Sequence, residues 1–142
     1  MKKILLLTSV TLLAACNGAG TLYRPIDEDL NSERAQGFLN PEVQVSFGKS
    51  ERVNGKKLMT YIANRRTNGS NKNAAEACQI AFISAVKSLQ DRAVKMGADA
   101  VVDIHSFYKR VPEWSTETYR CEDGNMVTAV TLQGTITKMF DK

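Results

Sequence analysis

From Ala74 to Met96 the chain carries one unbroken helical signature, and it dictates much of what the rest must do. Cys78, Phe82, Ala85, Leu89, Ala93 and Met96 recur at steps of three and four, so they share one face of a helix. Lys87, Gln90, Asp91 and Lys95 fall largely elsewhere. Glu76 in the first turn and Lys95 in the last complement the helix dipole, and Gly97 supplies the C-terminal stop. A helix with one apolar face needs a second layer to cover it.

The flanking sequence supplies strands. Val43-Gln44-Val45-Ser46-Phe47 alternates apolar and polar residues, the pattern of a half-buried strand. Asn54-Gly55 is a turn signal, and Leu58 to Arg66 reads as a second strand joined to the first in a hairpin. Beyond the helix, Ala100 to Tyr108 forms a strand and Pro112 interrupts it. Thr116 to Cys121 forms the next, and Asp123-Gly124 centres a turn. Met126 to Lys138 closes the domain, with Val130, Leu132, Gly134 and Ile136 on one face and Thr131, Gln133, Thr135 and Thr137 on the other. Gly134 marks a bulge or the close approach of another backbone. The order is β-β-α-β-β-β. The fold class is α+β: one long helix, about 74–96, packed on a mainly antiparallel sheet within a domain spanning 42–142.

The N-terminus has a different character. Met1-Lys2-Lys3 precedes a short apolar run, Ile4 to Ala15. A spanning helix needs roughly 20 apolar residues, so this run reads as a secretory signal. Leu13-Ala14-Ala15-Cys16 has the form of a bacterial lipobox: a large apolar residue, two small ones, then cysteine. Residues 1–15 are expected to be cleaved and Cys16 to be acylated, which anchors the chain to a membrane. Asn17, rather than aspartate, favours the periplasmic face of the outer membrane. Residues 16–41 read as a lipid-anchored tether with a short helix, capped by Ser32, burying Phe38-Leu39 and stopped by Asn40-Pro41.

Cleavage lowers Lys+Arg from 19 to 17 against 15 Asp+Glu, so the net charge falls from +4 to +2. That balance gives no case for nucleic-acid binding. With Cys16 acylated, two cysteines remain in an oxidising compartment, Cys78 and Cys121. They form one disulfide between helix and sheet, or remain as two buried thiols.

Chemistry is sparse. Gly48-Lys49-Ser50 follows a strand, but a phosphate loop needs a glycine five positions before Gly48, where Val43 stands. No nucleotide and no cofactor is implied. The single histidine, His105, lies two residues from Asp103, so both are placed on one strand face with Val101 and Phe107, opposite Val102, Ile104 and Tyr108. That face is a solvent-exposed surface or a two-ligand metal site. Ser106 neighbours His105 but points the other way, so no nucleophile–base pair forms and no enzymatic activity is expected. Trp114, Phe107 and Tyr119 form an exposed partner surface or pack against the sheet edge.

Several passages together carry a family resemblance: VQVSFG, then EACQIAFISAVKSLQDRAVKMGADAVVDIHSFYK, ETYRCEDG and VTAVTLQGTITK. They resemble small bacterial envelope proteins often labelled "excinuclease ATPase subunit", over roughly Pro25 to Lys138. That label conflicts with the missing ATPase motif. The helix-to-strand passage from Ala93 to Ile104 is more distantly similar to the YbjQ-type domain and to the outer-membrane lipoprotein that senses stress for the Rcs phosphorelay. The resemblance implies a disulfide-stapled α+β domain with a binding or envelope-sensing role and an envelope protein as partner. The alternative from the residues is a metal-handling protein using His105 and Asp103.

Overall fold

The long amphipathic segment forms the helix its periodicity predicts. In the computed structural model, which describes residues 20–140, the elements run β1 (Gly20–Pro25), α1 (Ile26–Leu30), α2 (Glu33–Gln36), β2 (Gln44–Phe47), β3 (Gly55–Asn68), α3 (Ala74–Lys95), β4 (Ala100–Ser106), a 3-10 turn (Tyr108–Arg110), β5 (Thr118–Asp123) and β6 (Val127–Met139). The Asn73 side chain caps α3 by accepting the Glu76 N–H at 2.7 Å. Gly97 ends it at φ +70°, a left-handed conformation that glycine adopts without steric cost. Cys78, Phe82, Ala85, Leu89 and Ala93 are buried as expected, but so are Ile83, Val86 and Gln90. The buried face is wider than the stripe because a second flank is covered. There the Gln90 amide donates to the Asn40 and Val43 carbonyls and accepts the Asn40 N–H.

Six strands form one sheet, and β6 is its axis. The fourteen-residue β3 pairs antiparallel along the whole of β6, from Gly55 beside Met139 to Asn68 beside Val127. The other edge of β6 is shared. β5 takes its first residues, with Glu122 opposite Ala129, and β4 takes its later ones, with Ala100 opposite Thr137. The sheet therefore forks: β1 extends β5 antiparallel and β2 extends β4 in parallel. The expected hairpin between β2 and β3 does not form. β2 has four residues and β3 fourteen, and only β6, with thirteen, offers β3 a partner of its own length. α3 packs across one face of this sheet on Val101, Ile104, Val130, Leu132 and Ile136.

The segment read as a tether is part of the fold from Gly20 onward. β1 pairs residue for residue with β5, and Ile26, Asp29 and Ala35 are buried. Ser32 does cap a short helix, accepting the Ala35 N–H at 3.2 Å, and a separate turn, α1, precedes it. Leu39 packs on the core while Phe38 stays exposed. The expected signal peptide, residues 1–15, the acylation site Cys16 and the first tether residues lie outside the described residues.

The two available cysteines are joined. Cys78 on α3 and Cys121 on β5 form a disulfide with Cα atoms 5.9 Å apart, within ordinary disulfide geometry. Beside it Tyr119 stacks on Phe82 with ring centroids 3.9 Å apart. Tyr119 also donates its hydroxyl to the buried Asp29 carboxylate, which accepts further hydrogen bonds from Arg24 at 2.9 Å and Gln79 at 3.1 Å. This polar knot ties α1 and β1 to α3 and β5. Burial, then the Asp29 contact, pushes the Tyr119 hydroxyl far above its ordinary pKa.

Candidate functional site

One irregularity in β4 decides where its polar residues go. Val102 pairs with Thr135 and His105 with Gln133, so Asp103 and Ile104 together face the single residue Gly134. That is a β-bulge, two residues against one. Asp103 takes φ +54° there, a conformation Asp tolerates better than most residues. The bulge shifts the alternation by one position. Val101 and Ile104 both enter the core beneath α3, and His105 moves to the helix-free face. Strict alternation placed Ile104 correctly opposite His105, but it set Val101 on the His105 face and Val102 with Ile104, and the bulge exchanges those two.

Asp103 and His105 consequently do not converge on a ligand. The Asp103 carboxylate accepts the Ser50 N–H at 2.8 Å, the Ser50 hydroxyl at 2.6 Å and the Lys57 ammonium at 3.0 Å. Its partial burial pushes its pKa up, but the Ser50 donors and Lys57 together outweigh that and hold it below the ordinary carboxyl value. His105 is 6 % exposed. Its Nδ1 donates to the Asp103 carbonyl at 2.8 Å, and its Nε2 lies 3.0 Å from the Gln133 side-chain amide. Trp114 stacks on its ring at 3.8 Å and Phe107 meets it edge-on at 5.8 Å. Both ring nitrogens are engaged within the chain and Trp114 stacks on the ring, so in this fold Asp103 and His105 turn to different partners rather than to a shared ligand. Among the described residues no three His, Cys, Asp or Glu side chains cluster as metal ligands.

The expected aromatic surface also divides. Trp114, 40 % exposed, and Phe107 flank His105 on the helix-free face, with the Lys49 ammonium 4.9 Å from the Trp114 ring centre. Tyr119 is 1 % exposed and belongs to the opposite side of the sheet, against Phe82. It contributes nothing to a partner surface. Ser106 is structural as well, its hydroxyl accepting the Arg120 N–H at 2.9 Å.

What the helix-free face does assemble is a basic cleft. After β4 the Phe107 N–H bonds to Thr131 at 2.9 Å, and the chain returns so that Ser106 and Glu113 exchange backbone hydrogen bonds. The 3-10 turn between them stands over β3 and β6. It encloses a cleft of about 330 Å³ lined by Ile62, Asn64 and Arg66 from β3, Thr131 from β6, and Phe107 to Arg110 from the turn. Lys109 and Arg110 both hold positive φ, 51° and 64°. Two consecutive non-glycine residues in that region are uncommon and cost conformational energy, a feature enriched at functional sites. The Lys109 ammonium lies 5.4 Å from the Tyr108 ring centre, and the Arg110 guanidinium 5.9 Å from that of Phe107. Arg66, Lys109 and Arg110 form no ion pair among the described residues. A second cleft of about 280 Å³ shares Arg66 and Tyr108 and continues to Gly20, Gly124 and Val127.

Three cations, an amide and hydroxyls around one opening suit an anionic group, since guanidinium forks match carboxylate and phosphate oxygens. The sequence signal for this site was the pair of basic dipeptides, Arg65-Arg66 and Lys109-Arg110. A net charge near neutrality concealed it. No described helix is long and apolar enough to cross a membrane. Comparison of the chain with protein-family models, with curated proteins and with solved structures gives no match.

Proposed function

We propose that this chain is an outer-membrane lipoprotein whose periplasmic domain is a non-enzymatic binding module, and that its ligand is an anionic group on an envelope component. The observation that carries the binding site is the cleft of Arg66, Lys109 and Arg110, cations without ionic partners among the described residues. The lipobox ending at Cys16 supports the anchor. The Cys78–Cys121 disulfide supports an oxidising compartment. The resemblance to the Rcs stress sensor supports a role in monitoring the envelope. Guanidinium and ammonium groups in a partly enclosed opening would replace the water around the anion with fixed donors.

Two measurements test the two halves. Labelled palmitate should mark the protein in cells and fail to mark Cys16→Ala; absence of label from both removes the anchor. Titration of inorganic phosphate into the protein should shift the backbone resonances of Arg66, Tyr108, Lys109 and Arg110 first. Arg66→Ala combined with Lys109→Ala should weaken that binding at least tenfold, roughly 1.4 kcal/mol. Shifts spread evenly over the surface, or unchanged affinity in the double variant, would sink the cleft as the site.

A further inference from the structure

We infer that the turn between β5 and β6 is a membrane-contacting tip, which sets the domain on the bilayer with the basic cleft opening beside the lipid surface. The inference rests on acylation of Cys16. Only Asn17, Gly18 and Ala19 separate Cys16 from Gly20, the first residue of β1. A fully extended chain spans at most about 3.6 Å per residue, so the anchor reaches roughly 14 Å from Gly20. The anchored domain cannot stand off the membrane on a tether of that length. Whatever surrounds Gly20 lies at the interface.

Gly20 pairs with Asp123 and lines a cleft with Gly124 and Val127. The turn at this end presents Met126, 74 % exposed, and Val127, 47 % exposed, side by side. Two adjacent apolar side chains held out into water at the point nearest the anchor are suited to the headgroup–acyl boundary. The surrounding charges agree with an anionic lipid surface. Lys72 donates to the carbonyl of Asn68, itself paired with Val127, and Arg66 lines the adjoining cleft. The acidic groups nearby are already engaged. The buried Asp123 accepts the Thr128 hydroxyl at 2.8 Å, and Glu122 accepts from Arg120 at 2.6 Å and Thr21 at 2.8 Å.

The opposite end of β6 provides the control. Phe140 is also exposed there, but the thirteen residues of β6 place it about 40 Å from Val127 at ~3.3 Å per residue, beyond the reach of the anchor. With Cys16 acylated and Cys78 bonded to Cys121, a single new cysteine takes one label. Met126→Cys and Phe140→Cys, each carrying an environment-sensitive fluorophore, are reconstituted as the full lipidated chain in phosphatidylethanolamine–phosphatidylglycerol vesicles. The label at 126 should shift to the blue and be quenched by spin-labelled lipid, while the label at 140 should behave as in water. If the protein floats with the vesicles and both labels remain water-exposed, or both are quenched alike, the tip is wrong while the anchor stands. If the protein does not float, the anchor fails and the tip falls with it. If position 126 is shielded in native envelopes but not in pure lipid, the turn contacts a protein, and the bilayer reading is overturned.

Discussion

Asp103 shows how one residue's surroundings redirect its chemistry. An aspartate two positions from a histidine suggests a ligand pair. In the fold its carboxylate instead pins the chain around Ser50 and holds Lys57. Its lowered pKa gives the sign of the pH response. The stabilisation is present above the ordinary carboxyl value, about pH 4, and is lost as pH falls through the lowered folded value. Asp103→Ala should cost about 2–3 kcal/mol, because it removes charge-assisted bonds and puts alanine at positive φ. Asp103→Asn should cost less, since asparagine tolerates that backbone and keeps one acceptor. Both variants should flatten the acid limb of a stability–pH curve measured by urea unfolding. An unchanged acid limb would mean that Asp103 carries no linked stabilisation.

At the scale of elements, Gly134 and the β4 bulge form one device. Gly134 was expected to mark a bulge or a close backbone. The bulge is on the partner strand, and the close approach is by side chains. A Cβ at position 134 would stand 2.6 Å from Val101 Cγ1 and 3.1 Å from Ile104 Cγ1. The missing side chain lets two apolar residues of β4 crowd under α3 from one side of the sheet. Gly134→Ala should therefore destabilise by about 1–3 kcal/mol through overpacking, read as a lower denaturant midpoint with unchanged m-value. Stability equal to the parent would show that β4 relaxes around the added methyl. The same bulge leaves His105 beneath Trp114 and beside Phe107 while Val101 enters the core, which is why an alternation rule grouped Val101 with His105 wrongly.

For the whole molecule, the disulfide ties the helix layer to the forked sheet on the β5 side, where β5 meets β6 over only two residue pairs. It joins residues 43 apart in sequence, and constraining a loop of that size in the unfolded chain is worth about 4 kcal/mol in the chain-entropy model. Reduction, or Cys78→Ala with Cys121→Ala, should lower stability by that order in thermal or urea unfolding. Loss of under about 1 kcal/mol would show that packing alone holds the β1–β5 branch. The N-terminal segment changes status at this scale too. Residues polar enough to read as a tether become an edge strand and two short helices, because β5 offers an unpaired edge and Asp29 finds Tyr119, Arg24 and Gln79.

Features under local chemical control could be read directly along the chain. The α3 helix from Ala74 to its stop at Gly97, the alternating faces of β6 and the α+β class all follow from periodicity and glycine conformation, while the sequence left Cys78 and Cys121 as one disulfide or two thiols. The tertiary structure alone decided what depends on distant partners: β2 beside β4 rather than β3, the bulge opposite Gly134, the docking of β1, and the meeting of Arg66 with Lys109 and Arg110. Strand pairing is chosen by matching lengths and buried faces across the chain, and neither can be read from one segment. That is why the helix was legible residue by residue while the cleft was not.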